Sequence, residues 1–322
     1  MIQPVPFGTR DVLPDEMREL RALTERLRAA FERGGYGEVW TPALEYEEVL
    51  RRGDERAAGV GYRLFDDHGQ ILALRSDMTI PIARVVGTRY RDAPLPIRLC
   101  YFAHAYRAVE RGQGQAREFL QGGVELIGPE APEGDAEVIA LAVTALEEAG
   151  LGRHRIGVGD GSLYRALLEL LEVPEEHRRP LLEALSARDL VGLERRIDEL
   201  GLPPAARTQL VALPTLRGGP EILERVDTPF KEPLENLRAL HELLAERGAA
   251  GRVIFDLGLV RELGYYTGVV FEVYDPAVGF AVGGGGRYDD LLGRFGRPLP
   301  ACGVALDVER VHVAQTEEER QA

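Results

Sequence analysis

Cysteine is scarce: the 322 residues contain two, Cys100 and Cys302, far apart and with neither a CxxC nor a Cys/His ligand spacing around them. That argues against a disulfide framework and against a structural zinc site, and it fits a reducing cytosol. The chain also lacks a basic start followed by an apolar run. No stretch approaches ~18 uninterrupted apolar residues, so neither an export signal nor a membrane span is expected, and the predicted location is cytoplasmic. An excess of positive charge is missing too. With a formal net charge of -14 the whole-molecule field repels nucleic acid, and RNA binding would need a local basic patch, which the C-terminal half does not show. What is present is 45% hydrophobic and 29% charged, the balance of a soluble globular protein with material for one large domain or two ordinary ones.

The stretch from Arg98 to Gly128 organises the rest. Two apolar runs flank RAVERGQGQARE, which is crowded with arginine and punctuated by Gly112 and Gly114. Aromatic and β-branched runs around a Gly-containing polar loop predict an antiparallel hairpin. Its arginines admit two readings, a phosphate clamp, because a planar guanidinium grips two anionic oxygens at once, or a solvated surface turn.

Periodicity orders the remainder. Leu20, Leu23, Leu27, Ala30 and Phe31 predict a helix from about Asp15 that ends near Gly34 and Gly35. A short strand follows, with Pro42 at or beyond its end and therefore at a sheet edge or interface. YRLFDDHGQILALRS predicts a hairpin around His68 and Gly69, and SDMTIPIARVVG turns into a helix. Residues 132–149 form a helix with Val138, Leu141, Ala142 and Leu146 inward. RIGVGDGSLYRALLELL reads as strand, turn and helix, capped by Asp160 or Ser162. From about Val173 to Gly248 helix formers dominate, without strand-like alternation. Strands resume afterwards, GRYDDLLGRFG turns to helix, and the charged tail TEEERQA is expected to fray. The expected division is 1–172 as the first part of a core, 173–248 as a small helical insertion, and 249–322 as the second part of the core.

Taken in order, GTRD with Pro14 and then GYGEVWTPALE; LRSDMT; the arginine hairpin ending in REFLQGGVELIG; and YYTGVVFE followed by GGGGRYDDLL and GVALDVERV resemble the catalytic core of histidyl-tRNA synthetase, a class II aminoacyl-tRNA synthetase. The resemblance runs from Gly8 to Val311, and so many ordered matches make it specific. It implies an α+β fold, an antiparallel sheet flanked by helices with a small helical insertion. It also implies that Pro42 belongs to a dimer-forming motif. Carried over residue by residue, it implies a histidine site built from Asp77, Thr79, Arg107, Gln121, Glu125, Arg261, Tyr265 and Tyr266. Such a pocket is chemically sensible, because histidine brings an ammonium, a carboxylate and an imidazole that need carboxylates, an arginine and polar or aromatic partners. Gln121 and Glu125, four apart in an expected strand, share one face.

The departures point elsewhere. Forming an aminoacyl adenylate requires cations against the phosphates. Arg107 matches the arginine near the α-phosphate, but Val109 stands where the family has an adenine-contacting glutamate and Gln115 where it has an arginine for the γ-phosphate. Asp307 stands where it has a small glycine. Asp77 is one methylene shorter than the family's glutamate, and RELGYY changes two residues of the histidine motif to Glu262 and Gly264. The chain stops at Ala322, just after GVALDVERV, so the anticodon-binding domain is expected to be missing. An eroded ATP site (Val109, Gln115, Asp307), a partly retained histidine site and no tRNA-reading domain resemble the regulatory subunits of ATP phosphoribosyltransferase, synthetase-like paralogues. That resemblance implies no catalytic residues, cofactor or metal, and no tRNA. It implies a homodimer within a hetero-oligomer, a short-form ATP phosphoribosyltransferase catalytic subunit as partner, and histidine as effector in the first step of histidine biosynthesis. Two other readings remain: a truncated synthetase-like enzyme that forms histidyl adenylate, against which Val109, Gln115 and Asp307 count, and a stand-alone histidine-binding module.

Overall fold

A computed structural model describes residues 5–55, 61–108, 116–226, 231–261 and 264–321. Val109 and Gln115 lie outside the described residues. Pro14 opens helix α1 (Pro14–Arg33), a position where its missing N–H costs nothing. The five residues expected on its apolar face are all buried, and the chain leaves the helix at Gly34. Strand β1 (Gly37–Glu38) is followed by β2 (Leu44–Tyr46), α2 (Glu47–Gly53), β3 (Arg63–Phe65), β4 (Ile71–Leu74) and α3 (Thr79–Thr88). The expected hairpin is β3–β4, and with β2 it makes a three-stranded sheet. Buried Arg75 then pins the Pro42 turn to the main sheet. Its Nη1 donates to the carbonyls of Thr41 at 2.7 Å and Pro42 at 3.0 Å, and its Nε donates to that of His104 at 2.8 Å.

The arginine-flanked hairpin is β5 (Ile97–Tyr106) and β6 (Glu118–Ile127), paired throughout with Leu99 opposite Glu125 and Ala103 opposite Gln121. After it come α4 (Glu133–Glu148), β7 (Arg155–Asp160) and α5 (Gly161–Leu170). Asp160 is the residue that caps α5, accepting from the Ser162 N–H at 2.8 Å. In α4, Val138, Ala142 and Leu146 are buried and Leu141 is partly so. Next are α6 (Glu175–Ser186), α7 (Leu190–Glu199), α8 (Pro204–Ala212), β8 (Arg217–Gly218), α9 (Lys231–Glu246), β9 (Val253–Asp256), β10 (Val269–Tyr274), β11 (Ala281–Arg287), β12 (Ala301–Asp307) and α10 (Val308–Gln321).

The nine-stranded sheet runs β1-β5-β6-β12-β11-β10-β7-β9-β8. Most neighbours are antiparallel, as the resemblance implies, but β1–β5 and β7–β9 are parallel, so the sheet is mixed. Leu181 of α6, Leu210 of α8 and Leu237 of α9 bury into one cluster with α1 and α4, so the helices of the 173–248 stretch share the main core. The stretch is not purely helical, because β8 adds to the sheet edge beside β9. Two further expectations fail locally. GRYDDLLGRFG forms only a 3-10 turn over Leu292–Phe295, ended by Gly296 at φ 85°. Gly286, Gly293 and Gly296 cost so short a segment more helical stability than its apolar residues return. The charged tail does not fray: α10 reaches Gln321, because Glu318 accepts from the backbone N–H groups of Gly152 at 3.0 Å and Arg153 at 2.7 Å.

Candidate functional site

One face of the sheet between β6 and β10 gathers the predicted residues. Glu125 of β6 sits at the centre, 1% exposed. Thr79, in the first turn of α3, donates its hydroxyl to Oε1 at 2.8 Å, and the Tyr288 hydroxyl donates to Oε2. Directly across on β12 lies Gly303, where a Cβ would stand 2.0 Å from Oε2. Only glycine lets the carboxylate lie over the neighbouring strand. Burial pushes the Glu125 carboxyl up to about 8; the Tyr288 and Thr79 hydrogen bonds oppose that rise and the nearby Asp77 charge adds to it. Asp77 accepts from the Ile80 N–H at 3.1 Å and so fixes the start of α3. Burial raises its pKa too, opposed by the Ile80 N–H and the Arg107 charge.

Aromatic rings wall the far side. Tyr265 and Tyr266 lie with ring centres 5.0 Å apart, and Tyr265 meets Tyr288 edge-on at 5.8 Å. Arg261 donates to the Phe271 carbonyl at 3.0 Å and spreads over Gly284, where a Cβ would fall 1.7 Å from Nη1. Gly284 and Gly303 therefore seat a guanidinium and a carboxylate.

Toward the hairpin, Arg107 stacks over the Phe119 ring at 4.7 Å and lies in the fields of both Asp77 and Asp307. Gln121 is buried, directly opposite Asp307 across the β6–β12 ladder, and its Oε1 has no hydrogen-bond partner among the described residues. Asp307 starts α10, its Oδ1 accepting from the Arg310 N–H at 3.0 Å and its Oδ2 lying 3.4 Å from the Arg310 Nε. Burial raises the Asp307 carboxyl, and Arg310 and Arg107 pull it back.

Nine predicted residues thus meet at one site: Asp77, Thr79, Arg107, Gln121, Glu125, Arg261, Tyr265, Tyr266 and Asp307. Tyr288 and Gly303 belong with them but were not singled out from the sequence. The signal for Tyr288 lay in the aromatic that follows the glycine run, since a glycine-rich strand marks close backbone approach. Acids, guanidiniums and tyrosine rings brought together in one place suit a small zwitterion carrying a planar, hydrogen-bonding side chain.

A family model described as histidyl-tRNA synthetase matches residues 8–311. The chain is 43% identical over 319 residues to the ATP phosphoribosyltransferase regulatory subunit of Moorella thermoacetica, covering 97% of this chain and 82% of the relative. It is 45% identical over 323 residues to the protein of the same name from Symbiobacterium thermophilum, covering 98% and 80%. Among solved structures, one from Bacillus halodurans described as an ATP phosphoribosyltransferase regulatory subunit/histidyl-tRNA synthetase superposes with TM-score 0.90 at 36% identity, covering 98% of this chain and 84% of the other. Histidyl-tRNA synthetase from Nostoc sp. PCC 7120 superposes with TM-score 0.83 at 21% identity over 99% and 76%, which shows a shared fold.

Proposed function

The chain belongs to the ATP phosphoribosyltransferase regulatory subunits, whose domain is that of the histidyl-tRNA synthetase family, and from that membership we propose that it senses histidine for a separate catalytic chain. It is a non-catalytic regulatory subunit; the near full-length match to proteins of that name carries this assignment. The effector is histidine, held by the acids, arginines and tyrosines around Glu125, and the partner is a short-form ATP phosphoribosyltransferase catalytic subunit in the cytoplasm. For feedback, histidine must bind one state of the assembly better than another, because equal affinity for both shifts nothing. The reading as a synthetase-like enzyme is disfavoured by Asp307, a carboxylate beside Arg107 where a nucleotide phosphate would need positive charge alone. Val109 and Gln115 count in the same direction.

Two measurements test this. The purified chain should show no histidine-dependent ATP–pyrophosphate exchange, and measurable exchange would sink the assignment. Captured on a resin, it should retain a short catalytic subunit, raise that subunit's phosphoribosyltransferase activity, and make the activity sensitive to histidine. Failure to bind or activate the subunit overturns the regulatory role.

Self-association is proposed through the small sheet. Trp40 is 89% exposed and Phe65 is 77% exposed, with Leu44, Tyr46 and Ile71 also exposed on or beside β2, β3 and β4. Register puts Leu44 and Tyr46 on one face of this sheet and Phe65 and Ile71 on the other, and large apolar side chains exposed in this number on one small element mark an interface. The double variant Trp40→Glu/Phe65→Asp is expected to shift the protein from dimer to monomer in sedimentation velocity without loss of circular dichroism signal. An unchanged sedimentation coefficient would remove this sheet from the interface.

A further inference from the structure

We propose that Asp307 is a specificity residue that acts as a resident counter-anion, satisfying Arg107 and Arg310 from within so that the cleft admits a free amino acid and rejects phosphate-bearing ligands. The inference deepens the histidine-site reading and rests on it for the identity of the admitted ligand; the anion half stands on its own geometry.

The guanidiniums of Arg261 and Arg310 both lie close enough to Arg107 to act on its charge. Left alone, such a cluster is an anion site, since guanidiniums hold phosphate through paired charge-assisted hydrogen bonds. Register places Asp307 among them. It stands directly across from Gln121 on the β6–β12 ladder, so both side chains project from the same sheet face. Arg107 reaches that face by stacking over Phe119, two residues before Gln121 on the same strand. Arg310 approaches from one turn into α10, its Nε 3.4 Å from the Asp307 carboxylate.

Gln121 supplies the independent sign of a ligand. Its Oε1 is buried without a hydrogen-bond partner among the described residues, and it faces the same space. An unpaired buried carbonyl oxygen asks for a donor. With the carboxylates of Asp77 and Asp307 near Arg107, the sub-site offers acceptors to an ammonium, and two of its three guanidinium charges are balanced from within, which leaves one for the single carboxylate of an amino acid and too little for a polyanion.

The test is calorimetric titration of the full chain with sodium pyrophosphate and, separately, with histidine. Asp307→Asn keeps the side-chain oxygen that caps α10, and Asp307→Ser offers a second capping replacement. Both are expected to bind pyrophosphate about tenfold more tightly than the parent, or to bind where the parent shows no heat. Adding Arg107→Gln should abolish the gain. Glu309→Gln removes one negative charge from the first turn of α10, where that carboxylate lies 3.9 Å from Arg10, and should give no gain, which separates a local counter-anion from a change in net charge. The proposal is overturned if the parent already binds pyrophosphate through Arg107, if neither Asp307 variant gains binding, if Glu309→Gln gains as much, or if both variants fail to fold, which would make Asp307 a helix cap only. Absence of histidine heat in the parent would instead sink the histidine reading and leave the pyrophosphate outcomes to decide this one.

Discussion

Glu125→Gln is expected to remove most of a loss of stability that the parent suffers as pH rises from about 6 to about 8. In the unfolded chain a glutamate ionises near pH ~4.3. In the folded protein burial holds the Glu125 carboxyl at about 8. Between those values the native state keeps a proton that the unfolded state has released, so stability falls as pH rises and levels off once the native carboxyl also ionises. Each pH unit between the two values is worth roughly 1.4 kcal/mol, so the full effect is a few kcal/mol at most. Asp135 and Asp275, each raised to about 6 by burial first, slope the same way at lower pH, so the window above about pH 6 belongs chiefly to Glu125. Glutamine preserves the volume, and the Thr79 or Tyr288 hydroxyl can turn to accept from its amide, so the fold should survive. Thermal midpoints of parent and variant at pH 6 and pH 8 check this. A parent with no loss over that interval, or a variant with the same loss, would show that Glu125 is ionised in the native pocket. The same variant should bind histidine about 10-fold or more weakly, because an amide cannot give up a proton to balance a cationic ligand group entering the pocket, as the carboxyl can.

How much of this was legible in the sequence depended on whether the controlling contacts were local. The α1 face, the β3–β4 and β5–β6 hairpins and the shared face of Gln121 and Glu125 follow from spacing along one segment. The residue-by-residue resemblance added Asp77, Thr79, Arg107, Arg261, Tyr265 and Tyr266 to one site. Tyr288 and Gly303 escaped, because their roles come from strand pairing between β6, β11 and β12, distant in sequence, and no periodicity reports what a glycine on one strand leaves free for a side chain on the next. The tail escaped for a similar reason. Seven polar or small residues read as fraying, whereas Glu318 caps the backbone of Gly152 and Arg153, 166 and 165 positions away. The parallel placement of β9 beside β7 and the short β8 beyond it likewise depend on how the 173–248 helices pack, which composition alone does not state.

The buried pair beneath the site should carry the largest single cost. Arg287, at the end of β11, is 3% exposed and Asp135, in the first turn of α4, is 1% exposed; the Arg287 Nε lies 3.0 Å from both carboxylate oxygens. Nη1 donates further to Asp289 at 3.0 Å and to the Pro129 carbonyl at 3.3 Å. Burial works against the Arg287 charge, and Asp135 together with Asp289 outweighs it, so its pKa moves up. With the Asp135 carboxyl at about 6, both partners are ionised at neutral pH. Arg287→Met leaves a carboxylate in the core without its cation, and Asp135→Leu leaves the guanidinium in the same position, each expected to cost about 3–5 kcal/mol in urea unfolding. The double variant Arg287→Met/Asp135→Leu should cost less than either single change, because two apolar groups carry no uncompensated charge. Additive losses would mean that the two side chains act independently and that the pairing is not what holds α4 to the glycine-rich strand. The pair also bears on the pocket: Tyr288 follows Arg287 directly and donates to Glu125, so Arg287→Met should weaken histidine binding as well as stability, whereas the double variant, with β11 reseated on α4, should recover part of both.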